Sequence, residues 1–186
     1  MRKIFIDAGA HDGCSVKKFR KEHDKRKEYF IYSFEIEPDF SSCFNNIENH
    51  VFINKAVWIE DGTKKFYRSK EKLRAGSTLI KKKKSGQVDK EHPIIVETID
   101  FSKWVFDNLS KNDYIILKLD IEGAEYEVIP KMIKDGSFDY INHLWIEWHW
   151  PKIKHPQKLH DNLVKQISIP TKKWDALVYC NLRKKK

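Results

Sequence analysis

The sequence predicts an α/β fold whose sheet is mainly parallel and doubly wound, with a C-terminal antiparallel strand. Short apolar runs alternate along the chain with segments of helical periodicity. The runs are almost continuously apolar, which is typical of parallel strands that helices cover on both faces. Two of them, 3–7 and 114–120, end in an aspartate that a glycine soon follows, and each leads into a helical segment. Together these observations favour one doubly wound domain.

The individual elements follow from local patterns. Val16 and Phe19 lie on one face of the first helix, and Pro38 ends the second strand, where Asp39 can cap a short helix. Residues 69–92 predict a long mobile loop. The predicted strands are 3–7, 29–36, 51–58, 94–98, 114–120, 143–148 and 174–180, the predicted helices are about 15–23, 40–47, 101–110, 124–134 and 156–167, and a hairpin is expected near 64–67.

The chain of 186 residues has the length of one domain, which we place at 1–182, with a basic tail at 183–186. Its formal net charge is +9, and the run 81–84 and the tail account for most of it. Two interpretations are open for these runs: solvated basic segments, or a surface for nucleic acid, a charged glycan or another anionic partner. No aromatic residues are regularly interleaved with the lysines, so nucleic acid is the less favoured partner.

Three features predict a soluble, cytoplasmic protein. Cys14, Cys43 and Cys180 form no Cys-x-x-Cys pair, so we expect neither a zinc site nor a disulfide framework. The first residues enter a strand directly, without the apolar region of a signal peptide. No apolar run reaches the length of a membrane-spanning helix, so no membrane span is expected.

The first chemical motif is Asp7-Ala8-Gly9-Ala10-His11-Asp12-Gly13, at the turn from the first strand into the first helix. Glycine permits positive φ there and lets a ligand approach closely, and the free N–H groups of the helix favour an anion. The spacing Gly-x-x-x-Gly differs from that of nicotinamide-dinucleotide folds. The strand-end acid suits a cation such as the α-ammonium group of a methionine moiety, and an ordinary tight turn is the alternative.

The second motif, Glu35-Ile36-Glu37-Pro38, closes the second strand. A carboxylate there, roughly 20 or more residues after the glycine turn, can accept two hydrogen bonds from ribose hydroxyls. Glu37 is our first choice for this role and Glu35 the second. Two exposed surface acids are the alternative.

The third motif, Lys118-Leu119-Asp120-Ile121-Glu122-Gly123-Ala124-Glu125, again joins an apolar strand to a helix. In doubly wound sheets, ligands bind beyond the carboxyl ends of the strands. We therefore expect Asp7, Glu37 and Asp120 to converge on one crevice. Glu125, one turn into the helix, is expected to be an ordinary first-turn acid.

A fourth segment, Trp145–Trp150, alternates tryptophan with polar residues at the end of a strand. One interpretation places Glu147 or His149 at the same crevice, as a base or a metal ligand. The other is aromatic packing with two polar groups at a strand edge.

The segments 4–13, 34–38 and 117–125 resemble the FkbM family of methyltransferases, and the third is the most specific of them. Residues 54–57 and 76–79 resemble weaker blocks of the family. The resemblance implies a Rossmann-like class I methyltransferase fold, S-adenosylmethionine as cofactor, and O-methylation, often of a sugar or polyketide-type hydroxyl. The cofactor residues it implies are Asp7, Gly9, His11, Asp12 and Gly13 around the methionine side, Glu37 at the ribose, and Ala56 and Val57 at the adenine.

For the reaction, a base near the acceptor hydroxyl is expected to contribute roughly 10²–10⁴-fold. We predict Asp120 or His149 as this base, with Glu122, Glu147 and Lys118 as orienting groups. A divalent metal held by Asp120, Glu122 and Glu147 is a less favoured alternative.

The predicted function is therefore S-adenosylmethionine-dependent O-methylation of a hydroxyl on a sugar, a glycan or a related small molecule. Two other classes stay open. The basic runs are compatible with a nucleic-acid methyltransferase, whose binding would fall steeply with salt. A non-catalytic Rossmann-like binding module would not bind S-adenosylmethionine.

Overall fold

The computed structural model describes residues 1–175, in which strands and helices alternate. The strands are β1 Lys3–Ala8, β2 Tyr29–Phe34, β3 His50–Ile53, β4 Ala56–Trp58, β5 Gly62–Phe66, β6 Ile94–Asp100, β7 Tyr114–Leu119, β8 His143–Ile146 and β9 Thr171–Lys173. The helices are α1 Cys14–Glu22, α2 Phe101–Asn108, α3 Glu125–Asp135 and α4 Gln157–Gln166, with short 3₁₀ helices at Pro38–Phe44 and Ser137–Tyr140.

Six strands form the main sheet in the order β3-β2-β1-β7-β8-β9, and all neighbours in it pair in parallel. The chain moves outward from β1 to β3 and then returns to place β7 on the other side of β1. The boundary between β1 and β7 is therefore the topological switch point, where sheets of this kind bind ligands beyond the carboxyl ends of their strands. The predicted mainly parallel α/β fold is confirmed.

Side chains of β1 alternate between two core layers, one on each face of the sheet. Ile4 and Ile6 pack in a cluster with Phe101 of α2 and with residues of α3, whereas Phe5 packs with α1. The rings of Phe5 and Phe19 stack with their centroids 4.0 Å apart. Burial of each such ring contributes about 1.5–3 kcal/mol. Both faces are thus covered, which explains why the strands are apolar at nearly every position.

A second sheet has the order β4-β6-β5, with β5 antiparallel to β6. The single strand predicted over 51–58 is wrong, because the structure divides it between β3 and β4. The chain bends at Asn54, whose Nδ2 donates hydrogen bonds to the carbonyl oxygens of Glu35 and Ile36 at 2.7 and 2.9 Å. The bend is thereby attached to the acidic segment that follows β2.

Residues 69–92 contain two isolated antiparallel bridges, so this predicted loop folds back on the chain around it. Within its lysine run, Lys83 is 1% exposed, whereas Lys81, Lys82 and Lys84 are exposed. The interpretation of the run as a solvated segment is therefore wrong for Lys83.

The C-terminal antiparallel strand predicted over 174–180 lies almost entirely outside the described residues. The basic tail 183–186 lies wholly outside them. At the end of the described chain, β9 pairs in parallel with β8, and the sequence did not predict this strand. The domain boundary at residue 182 stays a prediction.

Within residues 1–175, no helix has both the length and the apolar character needed to cross a membrane. Cys14 is disulfide-bonded, whereas Cys43 is free. Within residues 1–175, one bonded cysteine does not make a disulfide framework, and the expected absence of a framework stays a prediction. A cytoplasmic location stays a prediction.

Candidate active site

A cleft opens at the carboxyl ends of β1, β2 and β7, at the switch point of the main sheet. Its open space, including the solvent-filled mouth, is about 910 Å³. The segments that follow all three strands contribute to its walls. The lining residues that the sequence singled out are Gly9, His11, Glu35, Glu37, Val57, Lys118, Asp120 and Glu122.

Gly9 has a φ of +80°, and a Cβ atom at this position would collide with the carbonyl oxygen of Asp120. The backbone N–H groups of Gly9 and Ala10 both donate to the carbonyl oxygen of Phe34 at 3.0 Å. Glycine is needed here because only the absence of a side chain lets three strand ends meet. Gly13, the second glycine of the motif, is the N-cap residue of α1.

His11 lines the cleft, and its Nε2 lies 2.6 Å from the carbonyl oxygen of Leu73. Burial lowers the pKa of His11, but the carboxylate of Asp12, the Leu73 carbonyl and Glu35 outweigh it, so the pKa is raised overall. Asp12 accepts a hydrogen bond from the backbone N–H of Cys14 at 3.1 Å, and His11 lowers its pKa. Asp12 does not line the cleft.

Both carboxylate oxygens of Glu35 are used within the chain. They accept hydrogen bonds from the backbone N–H groups of His11 at 2.7 Å and Glu37 at 2.9 Å. Burial raises the pKa of Glu35, although these hydrogen bonds oppose the rise. Glu35 therefore joins the turn after β1 to the turn after β2.

Glu37 is 2% exposed, and two guanidinium groups contact its carboxylate. Arg68 binds it in a bidentate manner at 3.0 and 2.8 Å, and Nη1 of Arg74 lies 2.9 Å from Oε2. Arg74 also contacts Asp39 at 2.6 Å. The acid that the sequence placed at the ribose therefore lies in the cleft, beneath two arginines from the loop that follows β5.

The two residues expected near the adenine differ in their placement. Val57 lines the cleft, together with Phe66 and Leu79, whereas Ala56 is buried outside it. Val57, Phe66 and Leu79 form an apolar wall of the kind that suits an aromatic base.

Asp7 is fully buried and does not line the cleft. Its cationic partner is Lys118, whose Nζ lies 3.0 Å from Oδ1 of Asp7 and 3.8 Å from Oδ2 of Asp120. The same ammonium group donates to the carbonyl oxygen of Gly9 at 2.6 Å. Of the three acids expected to converge, Glu37 and Asp120 share the cleft, and Asp7 is linked to Asp120 through Lys118.

The carboxyl group of Asp120 has an unusually high pKa. Burial raises its pKa to about 7, although the positive charges of Lys118 and His149 oppose the rise. Burial lowers the pKa of Lys118, but Asp7 and Asp120 outweigh it, so that pKa is raised. A carboxyl group that titrates near neutrality is suited to proton transfer.

His149 is fully buried at the centre of four carboxylates. Its Nδ1 lies 2.9 Å from Glu125, and its Nε2 lies 3.2 Å from Glu122, 3.5 Å from Glu147 and 3.7 Å from Asp120. Burial lowers the pKa of His149, but Glu125, Glu122 and Asp120 outweigh it and raise the pKa to about 9. The structure therefore brings together the residues that the sequence proposed for catalysis.

Glu122 reaches this cluster through a tight turn. Its φ is +55°, and Gly123 follows with a φ of +109°, where a Cβ would lie 2.6 Å from a methyl group of Ile153. Nζ of Lys83 lies 2.6 Å from Oε2 of Glu122. Burial raises the pKa of Glu122, but His149 and Lys83 outweigh it, so that the pKa is lowered.

Four residues of the site escaped the sequence analysis: Glu125, Lys83, Arg68 and Arg74. Glu125 was expected to be an ordinary first-turn acid; it does lie in the first turn of α3, but it is fully buried. The three basic residues lie in a segment without periodicity, and no local signal separates them from solvated neighbours. Only long-range contacts give these residues their roles.

The fold and the site together define a Rossmann-like α/β domain with a ligand cleft at its switch point. The family model described as the methyltransferase FkbM domain matches residues 7–173. The chain therefore belongs to the FkbM methyltransferase family, as its motifs indicated, and is a methyltransferase by family. No match was found among the curated proteins or among the solved structures.

Proposed function

We propose that this chain is an S-adenosylmethionine-dependent O-methyltransferase that acts on a hydroxyl of a sugar, a glycan or a related small molecule. The observation that carries the proposal is that Glu37 and the cluster around His149 adjoin one cleft, at opposite sides of the switch point. Glu37 and Val57 are suited to bind a nucleoside, and Asp120 and Glu122 are suited to activate a hydroxyl. Family membership supports the methyl transfer.

The residues of the cleft fit this cofactor. The apolar wall of Val57, Phe66 and Leu79 suits the adenine, and the Glu37 carboxylate suits the ribose hydroxyls. The turn that contains Gly9 and His11 adjoins the space left for the methionine portion. When bound, S-adenosylmethionine would supply an electrophilic methyl group on a sulfonium.

The groups that follow β7 and β8 would act on the acceptor. With S-adenosylmethionine bound, Asp120 or His149 would accept the proton of the acceptor hydroxyl, whose oxygen would receive the methyl group. Lys118 holds Asp120 in place, and Glu122 and Glu147 hold His149. Alignment of the acceptor in line with the sulfonium supplies the rest of the acceleration.

Calorimetry with S-adenosylhomocysteine on the full chain tests the cofactor. We expect one ligand per chain, and we expect Glu37→Gln to weaken binding about tenfold or more because a charged hydrogen-bond acceptor is lost. Glu71→Gln, at an exposed acid in the loop that carries Arg68 and Arg74, is the control and should bind like the wild type. Absence of binding to the wild type would contradict the proposal and favour a non-catalytic binding module.

A nucleic-acid methyltransferase is the second candidate, because the lysines next to Lys83 are exposed. It predicts that an oligonucleotide binds the chain with an affinity that falls steeply as salt rises. A sugar acceptor predicts instead that methyl transfer to a panel of glycans changes little with salt. Comparison of the two assays at low and physiological ionic strength decides between them.

A further inference from the structure

Nε2 of the fully buried His149 has no hydrogen-bond partner among the residues of the described chain. Three carboxylate oxygens surround this nitrogen, from Glu122 at 3.2 Å, Glu147 at 3.5 Å and Asp120 at 3.7 Å. The ligand atoms that Asp120, Glu122 and His149 offer all lie within 4.8 Å of one another. A buried nitrogen without a partner, aimed into a group of carboxylates, indicates that a cation completes the arrangement.

The ring of His149 is held in the orientation that such a site requires. Its Nδ1 donates to Oε1 of Glu125 at 2.9 Å, and the same oxygen accepts the backbone N–H of Ile121 at 3.0 Å. When a cation displaces the proton of Nε2, the ring keeps its proton on Nδ1 and offers the lone pair of Nε2 to the cation. Metal-binding histidines almost always have a carboxylate, carbonyl or water on the other ring nitrogen in this way.

We infer that Asp120, Glu122 and His149 form a binding site for one divalent cation of the Mn²⁺ or Fe²⁺ type. Such cations accept a mixed set of imidazole and carboxylate ligands. Two ligands that each lie about 2.1 Å from an ion, at right angles to each other, are about 3.0 Å apart. The separations of 3.2 and 3.7 Å from Nε2 to Glu122 and Asp120 are close to this value.

The charges around His149 favour the same conclusion. Glu147 is paired with Lys152 at 3.1 Å. The rest of the ion-pair network contains more acids than bases within residues 1–175, namely Asp7, Asp120, Glu122 and Glu125 against Lys83 and Lys118. When a cation displaces the proton from Nε2, the histidine is neutral and the excess of carboxylates amounts to two negative charges in a largely buried place. Uncompensated buried charge is costly, and a divalent cation neutralises it.

The catalytic role of the cation rests on the proposed function, whereas binding of the cation does not depend on it. A divalent cation lowers the pKa of a bound hydroxyl. Asp120 and His149 would then serve as ligands that hold the cation beside the acceptor, in place of direct removal of the proton.

Titration of the full chain with Mn²⁺, followed by the electron paramagnetic resonance of the free ion, tests the site. We expect one bound Mn²⁺ per chain in the wild type. Glu122→Gln and His149→Gln should each weaken binding about tenfold or more, and Glu125→Gln, which alters only the orientation of the ring, by about 10–100-fold. Asp139→Asn, at an exposed acid that is not part of the cluster around His149, is the control and should bind like the wild type.

Lys83→Met is a variant that should bind Mn²⁺ more tightly than the wild type. Removal of the ammonium group that shares an oxygen of Glu122 should strengthen Mn²⁺ binding, a result that misfolding would not produce. Thermal unfolding of each variant shows which ones fold.

The site is overturned if the wild type binds no Mn²⁺, or if folded Glu122→Gln and His149→Gln bind it as the wild type does. Either result leaves binding of S-adenosylhomocysteine intact, so the proposed function would survive. Conversely, Mn²⁺ binding without S-adenosylhomocysteine binding would support the cation site and contradict the methyltransferase.

Discussion

The ammonium group of Lys83 is buried against the carboxylate of Glu122, with Nζ 2.6 Å from Oε2, and it also donates to the carbonyl oxygen of Gly76 at 2.6 Å. One lysine of a basic run thus attaches a long loop to the turn after β7. We expect Lys83→Met to lower the free energy of unfolding by about 1–3 kcal/mol, because it removes the ammonium partner of a largely buried carboxylate. Urea denaturation measures the change. Lys82→Met, at the exposed neighbour, should be nearly neutral, and equal effects of the two variants would contradict the anchoring role.

Gly9 and Gly136 provide a matched pair of glycines at almost the same φ. Gly9, at +80°, meets the backbone of Asp120, whereas Gly136, at +82°, has open space around the position of a Cβ. We expect Gly136→Ala to cost about 1 kcal/mol, from backbone strain alone. Gly9→Ala should cost at least about 3 kcal/mol, or prevent folding, since the strand ends must separate. Chemical denaturation compares them, and a similar cost for both would show that the contact between the turns after β1 and β7 tolerates a side chain.

The ion pair of Arg2 and Asp113 predicts a pH dependence of stability. Nε of Arg2 lies 3.0 Å from Oδ1 of Asp113, and this pairing lowers the pKa of the Asp113 carboxyl. A pKa lower in the folded state than in the unfolded state stabilises the protein above the unfolded value, about 3.9. This stabilisation is lost as the pH falls through the folded value.

We therefore expect Asp113→Asn to be less stable than the wild type at pH 7, by a modest amount because Arg2 is half exposed. The difference should shrink when unfolding is measured below pH 4. The control is Asp139→Asn, whose exposed carboxylate lies 3.9 Å from Lys111 and should matter little at either pH. A difference independent of pH would exclude the carboxylate charge as its cause.

Loss of Asp120 or His149 should reduce turnover without abolishing cofactor binding. We expect Asp120→Asn and His149→Gln to lower the rate of methyl transfer about 10²–10⁴-fold, because each removes a group that activates the hydroxyl. The measurement is release of S-adenosylhomocysteine with a panel of sugar acceptors, with and without EDTA. His143→Gln, at the amino end of β8, is the control. Full activity of both variants would place the activating group elsewhere.

Much of the fold could be predicted from local sequence. The apolar runs at 3–7 and 114–120 correspond to β1 and β7, and the glycine-containing turns lie at the carboxyl ends of these strands. Such features are local, because apolar periodicity and backbone freedom depend on residues close together in the chain. The prediction was wrong at 51–58, where Asn54 binds carbonyl groups of a distant turn.

The sequence by itself determined most of the order of strands and helices, the acids at the strand ends and the family to which the chain belongs. Only the tertiary structure decided what each acid faces. Asp7 is paired with Lys118 in the interior. Glu37 lies beneath Arg68 and Arg74. Glu125 is the partner of His149. The physical reason is that burial and ion pairing are set by contacts between segments far apart in the chain, whereas a strand or a turn is set by its own residues.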